Sequence, residues 1–141
     1  MDRASLEENY RIRAALEGLA ADLATQKLTE EDLAEIEAIH RRLRNCRPGD
    51  RRIAELNRRL HFRIYDCARS SLLLALLRLL WQSLPGGPQV WRPHEESVGQ
   101  HEALLAALRA RDPEAAAARA REHILSAIPF LPKTLGMAPR G

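Results

Sequence analysis

The chain is poor in the residues that identify many small folds. Its two cysteines, Cys46 and Cys67, are too few for a disulfide-stapled secreted scaffold and form no Cys-x-x-Cys pair. Aromatic residues stand at 4%, glycine at 7 residues, and the β-branched clusters that mark strands are missing, which leaves no candidate for a sheet. No apolar run approaches the roughly 20 residues of a membrane-spanning helix. Residues 1–6 are charged where the apolar core of a signal peptide would begin. A reducing cytoplasm is the expected setting.

What is present is leucine, alanine and arginine. At 141 residues, 45% hydrophobic and 29% charged, with a mean hydropathy of −0.36, the chain fits one soluble globular domain and is too short for two ordinary cores. The net charge is +3, and 20 of the 22 basic residues are Arg. That balance is short of what a dedicated nucleic-acid binder shows.

Helical signals run the length of the chain. Ser5 with Glu8 has capping-box spacing, and Ile12, Leu16, Leu19 and Leu23 recur at helical period, so a first helix is expected over about 6–26. Thr29, followed by Glu30, Glu31 and Asp32, starts a second with the stripe Leu33, Ile36, His40 and Leu43, ended by Arg47-Pro48-Gly49. Asp50 opens a third, with Ile53, Leu56, Leu60 and Ile64. A fourth, over about 70–84, is apolar nearly all round and should be central or lie in a subunit interface, before Pro85-Gly86-Gly87-Pro88 breaks the chain. A fifth carries Val98, His101, Leu105 and Leu108. Asp112-Pro113 starts a sixth with Ala116, Ala120, His123, Ile124 and Ala127 inward. Pro129, Pro132 and Pro139 make residues 129–141 a tail on a core of about 5–128. The expectation is a single all-α domain, an antiparallel bundle of about six helices.

His61, His101 and His123 each fall within the apolar stripe of a different helix. Neutral imidazoles inside a bundle need partners, supplied either by separate local acceptors or by one shared metal ion. Asn57 lies one turn before His61 on the same face, and its carbonyl is a fourth candidate ligand or a holder for water. His40 shares an inner stripe but has no second ligand one turn away, so packing or capping is its expected role. His94, beside Pro93 and Glu95, reads as an exposed helix-start residue. His101-Glu102 fails the H-E-x-x-H spacing of zinc proteases.

An ordered set of motifs carries a resemblance. Arg11-Ile-Arg-Ala-Ala-Leu-Glu17, Leu56-Asn-Arg-Arg-Leu-His61 with Ile64 and Tyr65, His101-Glu-Ala-Leu-Leu-Ala-Ala-Leu108, Arg111-Asp-Pro-Glu-Ala-Ala116 and Arg121-Glu-His-Ile124 together resemble the FCD effector-binding domain. That domain is the C-terminal half of FadR-like regulators of the GntR family, and the likeness extends over roughly residues 8–128. It implies a dimerising helical bundle and a divalent metal on His61, His101 and His123, with Asn57 standing where the family has an aspartate. The loss of that negative charge weakens the metal site and leaves more of the ion's charge to attract an anion. The resemblance further implies a small carboxylate effector and places Arg13 where an arginine can fork onto it, the alternative being a surface ion pair with Glu17. Zn, Ni and Mn all suit such ligands. The winged helix-turn-helix that precedes this module in the family has no counterpart in the chain, so DNA would be reached only through a separate DNA-binding domain; a stand-alone sensor, a truncated product and an excised domain remain open.

Two other functions compete. The run from Arg41 to Arg63 holds nine arginines against Asp50 and Glu55, which suits a helical nucleic-acid binder, although no series of aromatics interleaves to stack bases, Phe62 standing alone, and a solvated face is the simpler reading. A metal enzyme would want a buried general base, for which Glu17 and Glu122 are the candidates; a sensor rather than an enzyme is expected.

Overall fold

Helices begin best where a side chain can take up the amide hydrogens that a first turn leaves unpaired. In the computed structural model, which describes residues 1–86 and 89–136, α1 (Arg3–Lys27) is capped by Asp2, whose carboxylate accepts from the Ser5 amide at 2.8 Å. The expected cap at Ser5 is displaced because an ionised carboxylate three residues upstream is the stronger acceptor. α2 (Glu30–Arg44) opens on a reciprocal box between Thr29 and Asp32. α3 (Ile53–Asp66) follows Arg52; Asp50 binds the Arg52 amide and guanidinium instead of capping the helix directly. Ser70 caps α4 (Ser71–Gln82), α5 (His94–Arg109) follows Pro93, and Asp112 with Pro113 starts α6 (Pro113–Leu125) as expected. Among the described residues there are six α-helices and no strand, an all-α fold. Gly87, Pro88 and Pro139 lie outside the described residues.

α1 is the axis of the bundle. It runs antiparallel to α6: Arg3 donates to the carbonyls of Leu131 and Ile128 at 2.6 and 2.7 Å at one end, and Arg111 donates to the Leu28 carbonyl at the other. Small residues permit this close approach. Ala14, Ala21 and Ala24 face inward on α1 and Ala116, Ala117 and Ala120 on α6, and a Cβ added at Gly18 would stand 3.3 Å from the Ala117 carbonyl oxygen and 2.8 Å from Arg121 Cγ. α1 is also antiparallel to α4, since Asn9 donates to the Leu80 carbonyl and Ser83 Oγ at the end of α4 while Lys27 donates to the Ala68 carbonyl just before its start. After α6 the chain makes one 3₁₀ turn (Ile128–Phe130), buries Leu131 and returns to the N-terminus, where the Leu135 amide donates to the Met1 carbonyl at 2.9 Å. The residues expected to form a tail are therefore held against α1 as far as Leu135.

Two apolar rows do not face the core. On α1, Ile12 and Leu19 are 43% and 47% exposed, with Leu16 and Leu23 only partly buried beside them. On α4, Leu73, Leu77 and Trp81 are buried, whereas Leu72, Leu76 and Leu79 are 71%, 41% and 64% exposed. α4 thus buries one stripe and leaves the opposite one open, next to the outward row of α1.

Asp32 ties the start of α2 to the end of α3, accepting from the Thr29 amide and from Arg63 and Arg69 at 2.7 and 2.8 Å. The Thr29 amide first, and then Arg63, hold its carboxyl down at about 2. Because this lies below the unfolded value of 3.8, the stabilisation is complete above that pH and is lost as pH falls through 2. Asp32→Asn should cost about 1–2 kcal/mol at neutral pH, and urea unfolding should show the gap to wild type closing on acidification from pH 4 to 2.

Candidate metal centre

α3, α5 and α6 each bring one histidine to the middle of the bundle. His61 is 4% exposed, and His101 and His123 are 1% exposed. Their Nε2 atoms form a near-equilateral triangle, with 3.1 Å from His61 to His101, 3.0 Å from His101 to His123 and 3.2 Å from His123 to His61. The three residues that periodicity placed on separate stripes are thus brought to one point.

Hydrogen bonds behind the rings decide which nitrogens point inward bearing lone pairs. His61 Nδ1 donates towards the Glu17 carboxylate at 3.1 Å, and the Tyr65 hydroxyl also donates to Glu17. His123 Nδ1 donates to Gln100 Oε1 at 2.7 Å. With Nδ1 protonated in both, both Nε2 atoms carry lone pairs directed at the centre. A proton on His101 Nε2 can serve one of them, which leaves the other facing a lone pair without a donor. Burial first, and then the neighbouring positive groups, push His101 and His123 well below the ordinary histidine range, so protonating the rings is not the remedy. A cation at the centre is. Three imidazoles on one ion with bonds of about 2.0–2.1 Å have nitrogens roughly 3.0–3.4 Å apart, and the triangle matches. Asn57 is half-buried, and its Oδ1 is buried without a hydrogen-bond partner. An orphaned carbonyl oxygen one turn from His61 is also what an unfilled coordination sphere leaves. The donor set fits a divalent ion, which Nε2 of the three histidines would hold.

Glu17 is the buried carboxylate behind the site, 1% exposed. Burial alone would push it up, but Arg13, with Nε 2.9 Å from Glu17 Oε2, and His61 outweigh that and keep it ionised. Arg13 does pair with Glu17, though deep inside at 3% exposure and not on the surface. Its guanidinium lies over the Tyr10 and Trp81 rings, and its Nη1 has no partner. Sequence reading gave no site role to Tyr65, Gln100 or Arg92. Tyr65 was signalled by its position one turn after His61; Gln100 and Arg92 gave no local sign. Arg92 is 8% exposed and donates from Nη1 to the His123 carbonyl at 2.5 Å and to Ser126 Oγ at 2.9 Å.

The remaining candidates stand apart. His40 is buried edge-on against His101, 6.1 Å between centroids, in a packing role, and burial pushes it down. His94 begins α5, but it is half-buried and not exposed, with Nε2 unpartnered. Glu122 is exposed and pairs with Arg119. Within the arginine run, Arg44, Arg52, Arg58 and Arg63 have carboxylate partners, the pattern of an ion-paired surface. Among the described residues no helix is long and apolar enough to cross a membrane.

Residues 8–126 match the model of the FCD domain. The chain belongs to the FCD-domain family. It is similar to the HTH-type transcriptional regulator McbR of Escherichia coli (strain K12), 34% identical over 117 residues, which cover 77% of this chain and 53% of that protein. The solved structure of E. coli McbR/YncC matches with a TM-score of 0.77 at 30% identity, over 88% of this chain and 62% of the other. The chain spans about half the length of the curated relative it matches. An FCD domain is a regulatory, effector-binding module of the kind found in GntR-type regulators and not an enzyme, and the buried three-histidine cluster is consistent with a metal site typical of such domains.

Glu17 holds the His61 ring by its Nδ1 hydrogen bond, so Glu17→Gln should weaken binding of a metal at Nε2 by about 10–100-fold. Competition with a fluorescent chelator measures this, and circular dichroism should still report a folded helical protein.

Proposed function

We propose that this domain senses a small carboxylate through a divalent metal ion held by His61, His101 and His123, with Asn57 as a weak fourth ligand. The convergence of three Nε2 atoms within 3.2 Å of one another in an apolar interior carries this reading. Family membership supports it. When bound, the metal supplies a Lewis-acidic centre that can take a carboxylate oxygen of the effector. Zinc, nickel and manganese all suit neutral nitrogen and oxygen donors. Arg13, whose Nη1 is unpartnered beside the site, then forks onto the same carboxylate.

The domain works as a homodimer in the cytoplasm. The outward row of α4, Leu72, Leu76 and Leu79, and the open Ile12 and Leu19 of α1 support this, because large apolar side chains left exposed in such rows are normally covered by a partner. Binding the effector shifts the packing of the metal-bearing helices, and where a DNA-binding domain accompanies the dimer, its spacing on the operator changes.

Elemental analysis of protein purified without a His tag should find about one divalent metal per chain. At free metal a hundredfold above Kd, the native state gains about 2.7 kcal/mol, so chelation should lower Tm by several degrees. His123→Ala that binds metal as tightly as wild type would overturn the shared site. Asn57→Asp should tighten the metal and weaken an organic acid, since it adds a carboxylate beside both; titrations with zinc and with butyrate read the two halves. Leu76→Arg should convert the dimer to a monomer in light scattering while leaving helicity intact.

A further inference from the structure

The interior of the bundle holds more positive charge than its carboxylates balance. Arg13 is matched by Glu17, and Asp32 is taken up by Arg63 and Arg69. Arg92 has no carboxylate among the described residues; it is buried on a carbonyl and a hydroxyl, and its Nε has no partner. A buried unpaired guanidinium is costly. A metal ion at the histidines cannot relieve this, because it adds charge of the same sign.

Arg92 also lines a cavity of about 410 Å³ together with His94, Ile53, Ala54, Arg51 and Asp50, within the size range of small-ligand sites. Of these groups only Asp50 is anionic, and Arg52 already binds it at 2.8 Å. Ala54, Asn57 and His61 follow one another at intervals of three and four along α3, so the cavity wall and His61 share one helix face with Asn57 between them, and Arg92 reaches from the cavity to the His123 carbonyl. His94 Nε2 is a second buried, unpartnered atom at the cavity wall.

We propose that the effector of this domain is a dianion, with one anionic group at the metal and Arg13 and the second held by Arg92 in the cavity at the start of α3. This rests on the metal-and-carboxylate reading above and narrows the ligand class to dicarboxylates and phosphorylated acids. Both satisfy the same requirement, an acceptor-rich anion for each guanidinium.

Calorimetric titration of the zinc-loaded protein with butyrate, glutarate and 3-phosphoglycerate tests it. At least one dianion should bind about tenfold tighter than butyrate, and which of the two prevails separates the dicarboxylate from the phosphorylated acid. Arg92→Gln, which retains an amide donor for the His123 carbonyl, should remove that advantage and leave butyrate unchanged, while Tm of the ligand-free protein holds or rises because the unpaired charge is gone. Arg92→Lys, which keeps the charge, should retain most of the preference. Equal binding of butyrate and both dianions, failure of both dianions to bind, or an Arg92→Gln variant that weakens all three acids alike or loses stability without ligand would overturn the proposal. If a dianion binds the chelated protein as tightly as the zinc form, and Arg92→Gln still weakens it, the metal reading fails and the role of Arg92 stands.

Discussion

Three imidazole Nε2 atoms directed at one point inside a low-dielectric bundle set the terms for everything around them. His101 and His123 resist protonation, because burial first, and then the neighbouring imidazoles and Arg92, oppose it. The three rings cannot all satisfy one another either, because Glu17 and Gln100 have already claimed the Nδ1 protons of His61 and His123. The helices must still hold the rings together at 3.0–3.2 Å. They do so through packing: Leu60, Ile64, Leu104, Leu105, Leu108, Ala120 and Ile124 flank the histidines on their own helices and are all buried. The cost of the polar centre is offset by the aliphatic rows on either side of it.

α1 makes this arrangement workable by having three functions along one helix. Its Ala and Gly positions let α6 approach closely, which brings His123 inward. Its middle carries Arg13 and Glu17, a buried ion pair that would be a poor source of stability alone but orients His61 and supplies the negative charge that the site otherwise lacks. Its outer row of Ile12, Leu16, Leu19 and Leu23 is then left for the surface beside α4. Behind His123 the bonds close differently. The Ser126 hydroxyl lies 3.1 Å from Gln100 Oε1 and 2.7 Å from the His123 carbonyl, with Arg92 donating to Ser126, so α5, α6 and the segment before α5 meet at one histidine. A change at that ring is felt by three parts of the chain at once.

Legibility in the sequence followed the range of the interaction. Caps and breakers are local: Thr29 and Asp112 mark their helices correctly, and the misplacement at Ser5 arose because Asp2 offers the stronger acceptor within the same few residues. Apolar periodicity identified helices reliably but did not say which row faces in. On α1 the leucine row looked like the buried stripe, yet the true inner face is alanine, glycine and polar residues, because a close helix pair and a polar site both exclude large aliphatic side chains. On α4 a nearly continuous apolar run concealed a helix with one buried and one open stripe.

By itself, the sequence determined that the chain is all-α, where the helices lie to within a few residues, and that His61, His101 and His123 sit on inner stripes, since each follows from propensity, capping and spacing within one helix. Only the tertiary structure decided that those stripes converge on one point, that Arg13 and Glu17 are buried together beside it, and that Arg92 lies against the backbone of His123 without a countercharge. Those facts depend on contacts between residues far apart in the chain, 62 positions for His61 with His123. Helical periodicity gives the direction of a side chain relative to its own axis; how six axes are set against one another depends on side-chain volumes at their crossings, and no local pattern contains that information.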